Sequence, residues 1–327
     1  MTGTQAPTLT FVCREVGPAR YLIALQQHLN AKIFWCGSPV TVPLFEVEGC
    51  TVSGLDYAIT QSNLLVAAVS VGEGIDKSAI RISREAGIPS IAIVEHWSWF
   101  RERFFVDDIA VLPDLILVND SMALNFAIEA GLPSNIIKVA GNPVLENLAN
   151  SQLSRSREVK LAEQSKTVVF VSESLAADKA SGLLTGIRFT EYDVLDAILR
   201  YRDPSDRVIV KLHPTEDLTK YSHFGEDIEI FGLTSVQELA EISDVVIGLG
   251  SMLLLELAAL GCPVINVEFN ERDSFVGASI GATYPVQSLE EIEMLIATPP
   301  QPNTTFVDSF VGSSSRIAQI FSEKLCR

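Results

Sequence analysis

Histidine, paired cysteine, positive charge and long apolar runs are all scarce in this 327-residue chain, and each shortage removes a class of function. The five cysteines, Cys13, Cys36, Cys50, Cys262 and Cys326, are scattered and include no CxxC pair. That distribution argues against a disulfide framework or a zinc site and fits reduced thiols in a cytoplasmic protein. There are only four histidines, and no Asp/His cluster accompanies them, so no metal centre is expected. The longest purely apolar runs, such as Leu64 to Val69, are far shorter than the ~18 residues of a membrane span. The first residues, Met1 to Pro7, lack the basic start and apolar core of a signal peptide. Lysine and arginine number 24 against 41 aspartates and glutamates, a net charge of −17. A field of that sign repels nucleic-acid backbones and anionic lipid, which excludes both as general partners. It leaves room for one small anion held in a local electropositive site.

Apolar residues are abundant. They make up 47% of the chain against 20% charged, enough for large cores, so a disordered acidic chain is excluded. At roughly 150 residues per domain the length predicts two domains. Short β-rich runs alternate with helical patterns nearly throughout. In the first half, strands are expected at Leu9 to Cys13, Lys32 to Cys36, Leu64 to Ser70, Ser90 to Val94, Leu115 to Val118 and Ile136 to Val139. Helices are expected at 19–29, 76–86 and 121–130, with residues 38–60 ambiguous. The polar, serine-rich stretch Ser151 to Lys166 is read as the boundary. The alternation then restarts, with strands at 167–171, 208–212, 228–231, 244–247 and 264–267, and helices at 192–201, 236–242, 252–260 and 289–296. A last helix over about 309–325 is compatible with a return to the first domain. Strands separated by helices imply βαβ units with right-handed crossovers. The fold class is therefore α/β: two Rossmann-like, doubly wound parallel-sheet domains, 1–150 and 151–327, facing across a cleft that holds the ligand.

Three strand ends in the second half carry the motifs. Val208 to Lys211 runs into Leu212, His213 and Pro214, setting an imidazole where the strand leaves the sheet, with the charge of Lys211 nearby. A histidine there suits an anionic phosphate, or merely caps a turn. The next strand runs through Gly248-Leu249-Gly250-Ser251 into the apolar helix Met252 to Leu260. Small residues admit a ligand to the backbone, and a helix start offers free N–H groups and positive dipole. Ser251 is either the helix cap or a phosphate contact. Glu256, about 7 Å farther along at 1.5 Å per residue, interrupts the apolar helix and needs a partner, such as a ribose diol or a basic side chain. Ser172 and Ser174, after the first strand of this half, would line the same edge.

Together these residues resemble the nucleotide-binding domain of the two-domain glycosyltransferases called GT-B. The resemblance covers about residues 165–270 and is closest in style to the bacterial capsule and sialic-acid transferases and the glycerophosphotransferases with a His-Pro motif. The stretch Glu256-Leu-Ala-Ala-Leu-Gly-Cys-Pro-Val-Ile265 also looks like the E-A-x-x-x-G-x-P-V-I segment of these folds. The resemblance implies that His213, Gly250 and Ser251 hold the donor phosphate and that Glu256 takes the ribose. It further implies a cytoplasmic, metal-independent enzyme of surface polysaccharide or glycoconjugate synthesis. Such an enzyme would use no cofactor, taking a nucleotide-sugar as substrate and a glycan or lipid-linked acceptor, and a homo-oligomer is compatible with it. Related sugar-nucleotide 2-epimerases share the architecture. Their Asp-Ser-Gly-Gly stretch is here Gly248-Leu-Gly-Ser251, and no match to their N-terminal catalytic motifs is evident, so epimerase or hydrolase is the alternative. A third reading is a non-catalytic nucleotide-sugar-binding protein of the same fold.

In the first half, Arg14, Glu15 and Gly17 form the loop after the first strand, where Gly17 permits close approach of an acceptor. Glu95, His96 and Trp97 end another strand, followed by Trp99, Arg101 and Arg103. Glu95, His96 and Glu15 are the candidates for the base that deprotonates a sugar hydroxyl. Arg14 and Trp97 are candidates for clamping or stacking on the acceptor, against a reading as an aromatic plug with surface arginines. Asn119-Asp120 fits a helix cap. The segment Val71 to Ser78 follows a strand and precedes a helix, but a P-loop needs glycine where Val71 and Asp76 stand. Gly72 and Gly74 suit at most a modest anion or substrate loop.

Overall fold

The computed structural model describes residues 6–150, 165–182, 185–214, 216–232, 234–270 and 275–326. Most of the expected boundary stretch, 151–164, lies outside the described residues. The chain divides into two compact units, Met1–Asn147 with Ser309–Arg327, and Leu148–Asp308.

The first unit is built on β1 (Thr8–Cys13), β2 (Lys32–Gly37), β3 (Leu64–Ala68), β4 (Ser90–Val94), β7 (Leu115–Val118) and β8 (Ile137–Val139). They pair in parallel in the order β2-β1-β3-β4-β7-β8. Strands such as β3 (LLVAA) are buried along their whole length because helices cover both faces of a parallel sheet. The crossovers are α1 (Val16–Gln26), α2 (Val42–Val47), α3 (Leu55–Thr60), α4 (Ile75–Glu85), α5 (Phe100–Phe104), α6 (Ser121–Glu129) and α7 (Pro143–Ala149). α1 starts earlier than its proline suggests, because Pro18 fits inside the first turn, where a missing N–H costs nothing. The ambiguous residues 38–60 resolve into α2 and α3, each too short to display a helical period. The antiparallel hairpin of β5 (Phe105–Val106) and β6 (Ile109–Ala110) was not foreseen. The final helix α14 (Ser313–Leu325) belongs to this unit, and its Ile317 and Phe321 are buried in the core with Phe11 and Trp35.

The second unit has β9 (Thr167–Val171), β10 (Arg207–Lys211), β11 (Glu229–Phe231), β12 (Val245–Gly248), β13 (Val264–Val267) and β14 (Tyr284–Val286). All are parallel, in the order β11-β10-β9-β12-β13-β14. Its helices are α8 (Leu175–Ala180), α9 (Glu191–Tyr201), α10 (Val236–Ile242), α11 (Met252–Ala259), α12 (Val276–Ser279) and α13 (Glu291–Ala297). α8, α12 and β14 escaped the sequence reading because none is long enough to show a period, and β14 is an edge strand holding Pro285. Gly248 is demanded by packing, since a Cβ there would meet Leu254 at 2.8 Å.

Strand order reverses between β1 and β3 in the first unit and between β9 and β12 in the second. In such sheets the crevice outside the carboxyl ends of the strands at the reversal is where ligands bind. The motif residues after β1, β3, β9 and β12 are therefore at the reversals.

Candidate functional site

In the second unit the loops leaving β9, β10 and β12 are tied together by side chains. The Ser172 hydroxyl lies 3.0 Å from Glu216 Oε1 and 2.6 Å from the Tyr221 hydroxyl. Glu216 Oε2 accepts the main-chain N–H of His213 at 2.9 Å, which fixes the start of the His-Pro turn. His213 and Pro214 are exposed beyond it, and the imidazole is within electrostatic reach of Asp178 on α8. Lys220 Nζ is the hub. It donates to Glu216 Oε1 at 2.5 Å, to Glu191 Oε1 at 2.6 Å and to the Glu173 carbonyl at 2.9 Å. Burial opposes the ammonium charge, but hydrogen bonds to Glu191 and Glu216 outweigh it and raise the lysine above its ordinary range. A cavity of about 290 Å³ opens beside this hub, lined by Ser174, Glu191, Tyr192, Glu216, Asp217 and Lys220 among others.

Gly250 and Ser251 lead into α11. Ser251 is its N-cap, and its hydroxyl accepts the Leu253 N–H at 3.3 Å. The Gly250 N–H donates to Glu173 Oε1 at 2.7 Å, and the Ser251 N–H also bonds this carboxylate. A Cβ on Gly250 would stand 3.3 Å from Phe269 and 3.8 Å from Glu173. Burial pushes the Glu173 carboxyl up to about 7, with the Gly250 and Ser251 amides opposing and Glu216 and Glu191 adding to the rise. Lys211 is buried and its ammonium donates to the Leu212 carbonyl at 2.7 Å. Glu256 is buried on α11. Ser172 is likewise buried, within the Glu216 network, whereas Ser174 is half-buried at the cavity.

In the first unit, Arg14 lies across the β3–α4 loop. It donates to the Glu73 carbonyl, to the Val71 carbonyl at 2.5 Å and to Glu15 Oε1 at 2.9 Å. Gly74 makes room for it, since a Cβ there would sit 2.9 Å from Arg14. Behind this loop Asp76 and Lys77 are wholly buried. Asp76 Oδ2 accepts the Ser70 N–H at 2.9 Å and the Lys77 ammonium at 2.7 Å, and Lys77 also donates to the Ser70 carbonyl. Glu95, at the end of β4, is buried with Oε2 lacking any hydrogen-bond partner. Its Oε1 comes 3.6 Å from the position a Cβ on Gly17 would take. Burial raises the Glu95 carboxyl above the usual range, the Arg103 charge opposes this, and Glu15 adds to it. Such a carboxylate is poised to take a proton.

His96 is held differently. Its Nδ1 accepts the Ser98 main-chain N–H at 3.2 Å, which leaves the proton of the neutral ring on Nε2. Burial, then the charge of Arg103, push its pKa down to about 3. At neutral pH His96 is thus a donor through Nε2, not the base that the sequence reading allowed. Trp97 is buried, donates to Asp120 Oδ2 at 2.8 Å and packs edge-on against Phe310. Its indole serves the core of this unit. Arg103 is not a surface arginine: it is buried and donates to the Val69 carbonyl at 2.6 Å. Arg101 remains exposed and pairs with Asp108. Asp120 caps α6 by accepting the Ala123 N–H at 2.8 Å, as its position suggested.

The structure thus gathers His213, Gly250 and Ser251 on linked loops of the second unit, and Arg14, Glu15, Gly17 and Glu95 around the β1 end of the first. Glu173, Glu191, Glu216 and Lys220, like Asp76 and Lys77, were missed as site residues. Glu173 had a signal in its place immediately after the first strand of its unit, between two serines. Lys220 had none, because its loop carries no motif. Among the described residues no group of three or more His, Cys, Asp or Glu side chains is arranged to hold a metal ion, and no helix is long and apolar enough to cross a membrane.

No family model matches the chain, and no curated protein sequence matches it. Solved structures do. HepE of Anabaena in complex with UDP and glucose aligns with a TM-score of 0.66 at 13% identity, over 98% of this chain and 99% of that one. MnaA of S. aureus in complex with UDP aligns at 0.66 and 11%, over 98% and 97%. The UDP-GlcNAc 2-epimerase of Methanocaldococcus jannaschii, in complex with UDP-GlcNAc and UDP, aligns at 0.63 and 13%, over 97% and 99%. At such identities the likeness establishes the fold: this chain is built of two Rossmann-like domains of the GT-B type.

Proposed function

We propose that this protein is a glycosyltransferase that takes its sugar from a UDP-linked donor. The observation that carries the reading is the stitching of the β9, β10 and β12 loops at the strand-order reversal of the second unit. It sets an exposed histidine and the N-terminal amides of α11 on one linked frame. Amides and imidazole there can bear the charge that develops on a leaving diphosphate. In this reading His213, Gly250 and Ser251 contact phosphate, Glu256 faces the ribose, and Ser174 lines the adjoining cavity. The positive field comes from the imidazole and the helix start, so the chemistry calls on no divalent ion and no cofactor. Glu95 supplies the base for an acceptor hydroxyl, with Arg14 and Glu15 beside it. His96 donates a hydrogen bond through Nε2. The proteins of like fold that bind UDP or UDP-sugars support the choice of nucleotide, and a glycan or lipid-linked acceptor suits the transferase reading.

Calorimetric titration with UDP tests the donor half. Wild type should bind and His213→Ala should bind at least ~10-fold more weakly, the scale of a charge-assisted hydrogen bond. Equal affinity would overturn the assignment. One of the like-folded proteins named above is a UDP-GlcNAc 2-epimerase, which keeps epimerisation as the second reading. Incubation with UDP-GlcNAc and no acceptor separates the two: a new sugar isomer identifies an epimerase, and an unchanged donor favours the transferase.

A further inference from the structure

The amides at the start of α11 are not idle: the carboxylate of Glu173 already sits on them. That placement puts a negative group on the amides and creates a conflict with a second anion. An ionised Glu173 and a donor phosphate cannot share the same two N–H groups, because like charges so close repel strongly in a partly buried site.

Among the described residues, the side-chain charges that act on Glu173 add to that repulsion. From α9 Glu191 faces the loop, and from the turn after β10 Glu216 does so, both as carboxylates that add to the negative field. The Lys220 ammonium is committed to Glu191 and Glu216, and its bond to Glu173 is to the carbonyl, not the side chain. From α11 come only the two amides, and Phe269 closes the Gly250 side. Neutralising Glu173 frees those amides for a phosphate.

We propose that Glu173 is a donor-binding residue that works as a carboxylic acid: ionised, it fills the phosphate seat, and protonated, it yields the Gly250 and Ser251 amides and donates its own proton to a phosphate oxygen. Binding of the donor then takes up one proton from solvent onto Glu173, and no covalent bond changes. The inference rests on the donor reading above and adds to it a residue and a condition. Burial lifts the Glu173 carboxyl to about 7, which brings its acid form within reach of neutral pH.

The probe is UDP-glucose, whose two phosphates carry no proton that titrates near neutrality. Calorimetry of wild type should show Kd rising roughly tenfold between pH 6 and pH 8, as one linked proton with a midpoint near 7 requires. In Glu173→Gln that rise should vanish, apart from the share of His213, which His213→Gln measures separately. The variant should also bind more tightly than wild type at pH 8. Parallel pH profiles in wild type and Glu173→Gln overturn the proposal while leaving the donor reading intact. No binding of UDP-glucose in either protein at any pH overturns the donor reading instead. The seat is then judged on the unliganded protein. A raised carboxyl destabilises the fold as pH climbs from its ordinary range through 7, so the Tm of Glu173→Gln should gain on wild type from pH 5 to pH 8. A constant difference rules out the buried, displaced proton.

Discussion

The two units share a parallel six-stranded sheet and a reversal of strand order, yet they fill those reversals with opposite chemistry. In the first unit the reversal is crowded with charged side chains: Asp76 and Lys77 are wholly buried, and Arg103, Glu95 and Arg14 surround the same strand ends. In the second it is lined by glycine, hydroxyls and main-chain amides with the Glu173 carboxylate on them, and the other charges gather in the hub around Lys220. Charged groups in a dry site suit proton transfer, because burial moves their pKa values. Amides at a helix start suit an anion that arrives already charged. In the proposed reading the acid–base work falls to the first unit and the phosphate to the second.

The contrast can be attacked at its strongest point first. Asp76→Ala leaves the Lys77 ammonium buried without its carboxylate and should cost ~3–5 kcal/mol in denaturant unfolding. A cost below ~1 kcal/mol would mean that the buried charges of the first unit are dispensable. The mirrored change, Lys220→Met, strands the Glu191 and Glu216 side chains, which are 1% and 3% exposed. It should destabilise by a similar ~3 kcal/mol, less any protonation of the carboxylates, and should weaken most at high pH. Next comes chemistry. Glu95→Gln should lower kcat about 10²-fold or more while leaving UDP affinity unchanged, since the carboxamide keeps the shape but cannot take a proton. A variant that loses affinity instead would move Glu95 into the binding apparatus.

A smaller effect separates His96 from Glu95 among the base candidates. His96 is held neutral with a pKa near 3, below its ordinary 6.5, so its contribution to stability is complete above 6.5 and is lost as pH falls from there toward 3. His96→Gln should accordingly lose less Tm than wild type between pH 7 and pH 4, and the rate profile above pH 5 should show no histidine step from this residue. The smallest change expected is at the α11 cap, where Ser251→Ala should cost ~1 kcal/mol of stability. If it weakens UDP binding far more than stability, the hydroxyl contacts phosphate in addition to capping.

Part of the candidate site lies on local patterns of the chain, and the limits have particular causes. His213, Gly250 and Ser251 were visible because a strand end followed by proline, or by small residues and a helix, is a local pattern. Glu95 was visible as a strand-end carboxylate, but the lack of a hydrogen-bond partner at its Oε2 is a property of everything packed around it. Trp97 shows the opposite case. An aromatic beside a histidine reads as a stacking surface, and the fold turns the ring inward onto Phe310 and Asp120. Lys211 likewise reads as a phosphate charge until its ammonium is found on the Leu212 carbonyl.

What the amino-acid order determined by itself was the class of structure. Continuous apolar strands separated by helices leave little but doubly wound parallel sheets, and the shortage of paired cysteine and long apolar runs removed the competing classes. What only the tertiary structure decided was which charges face each other. Glu173 and Gly250 are 77 residues apart, and Lys220 meets Glu191 across 29. No local period encodes such pairs. Parallel strands bring their carboxyl ends to one side of the sheet whatever the residues there, and the chemistry of each end is set only when its neighbours across the reversal are in place.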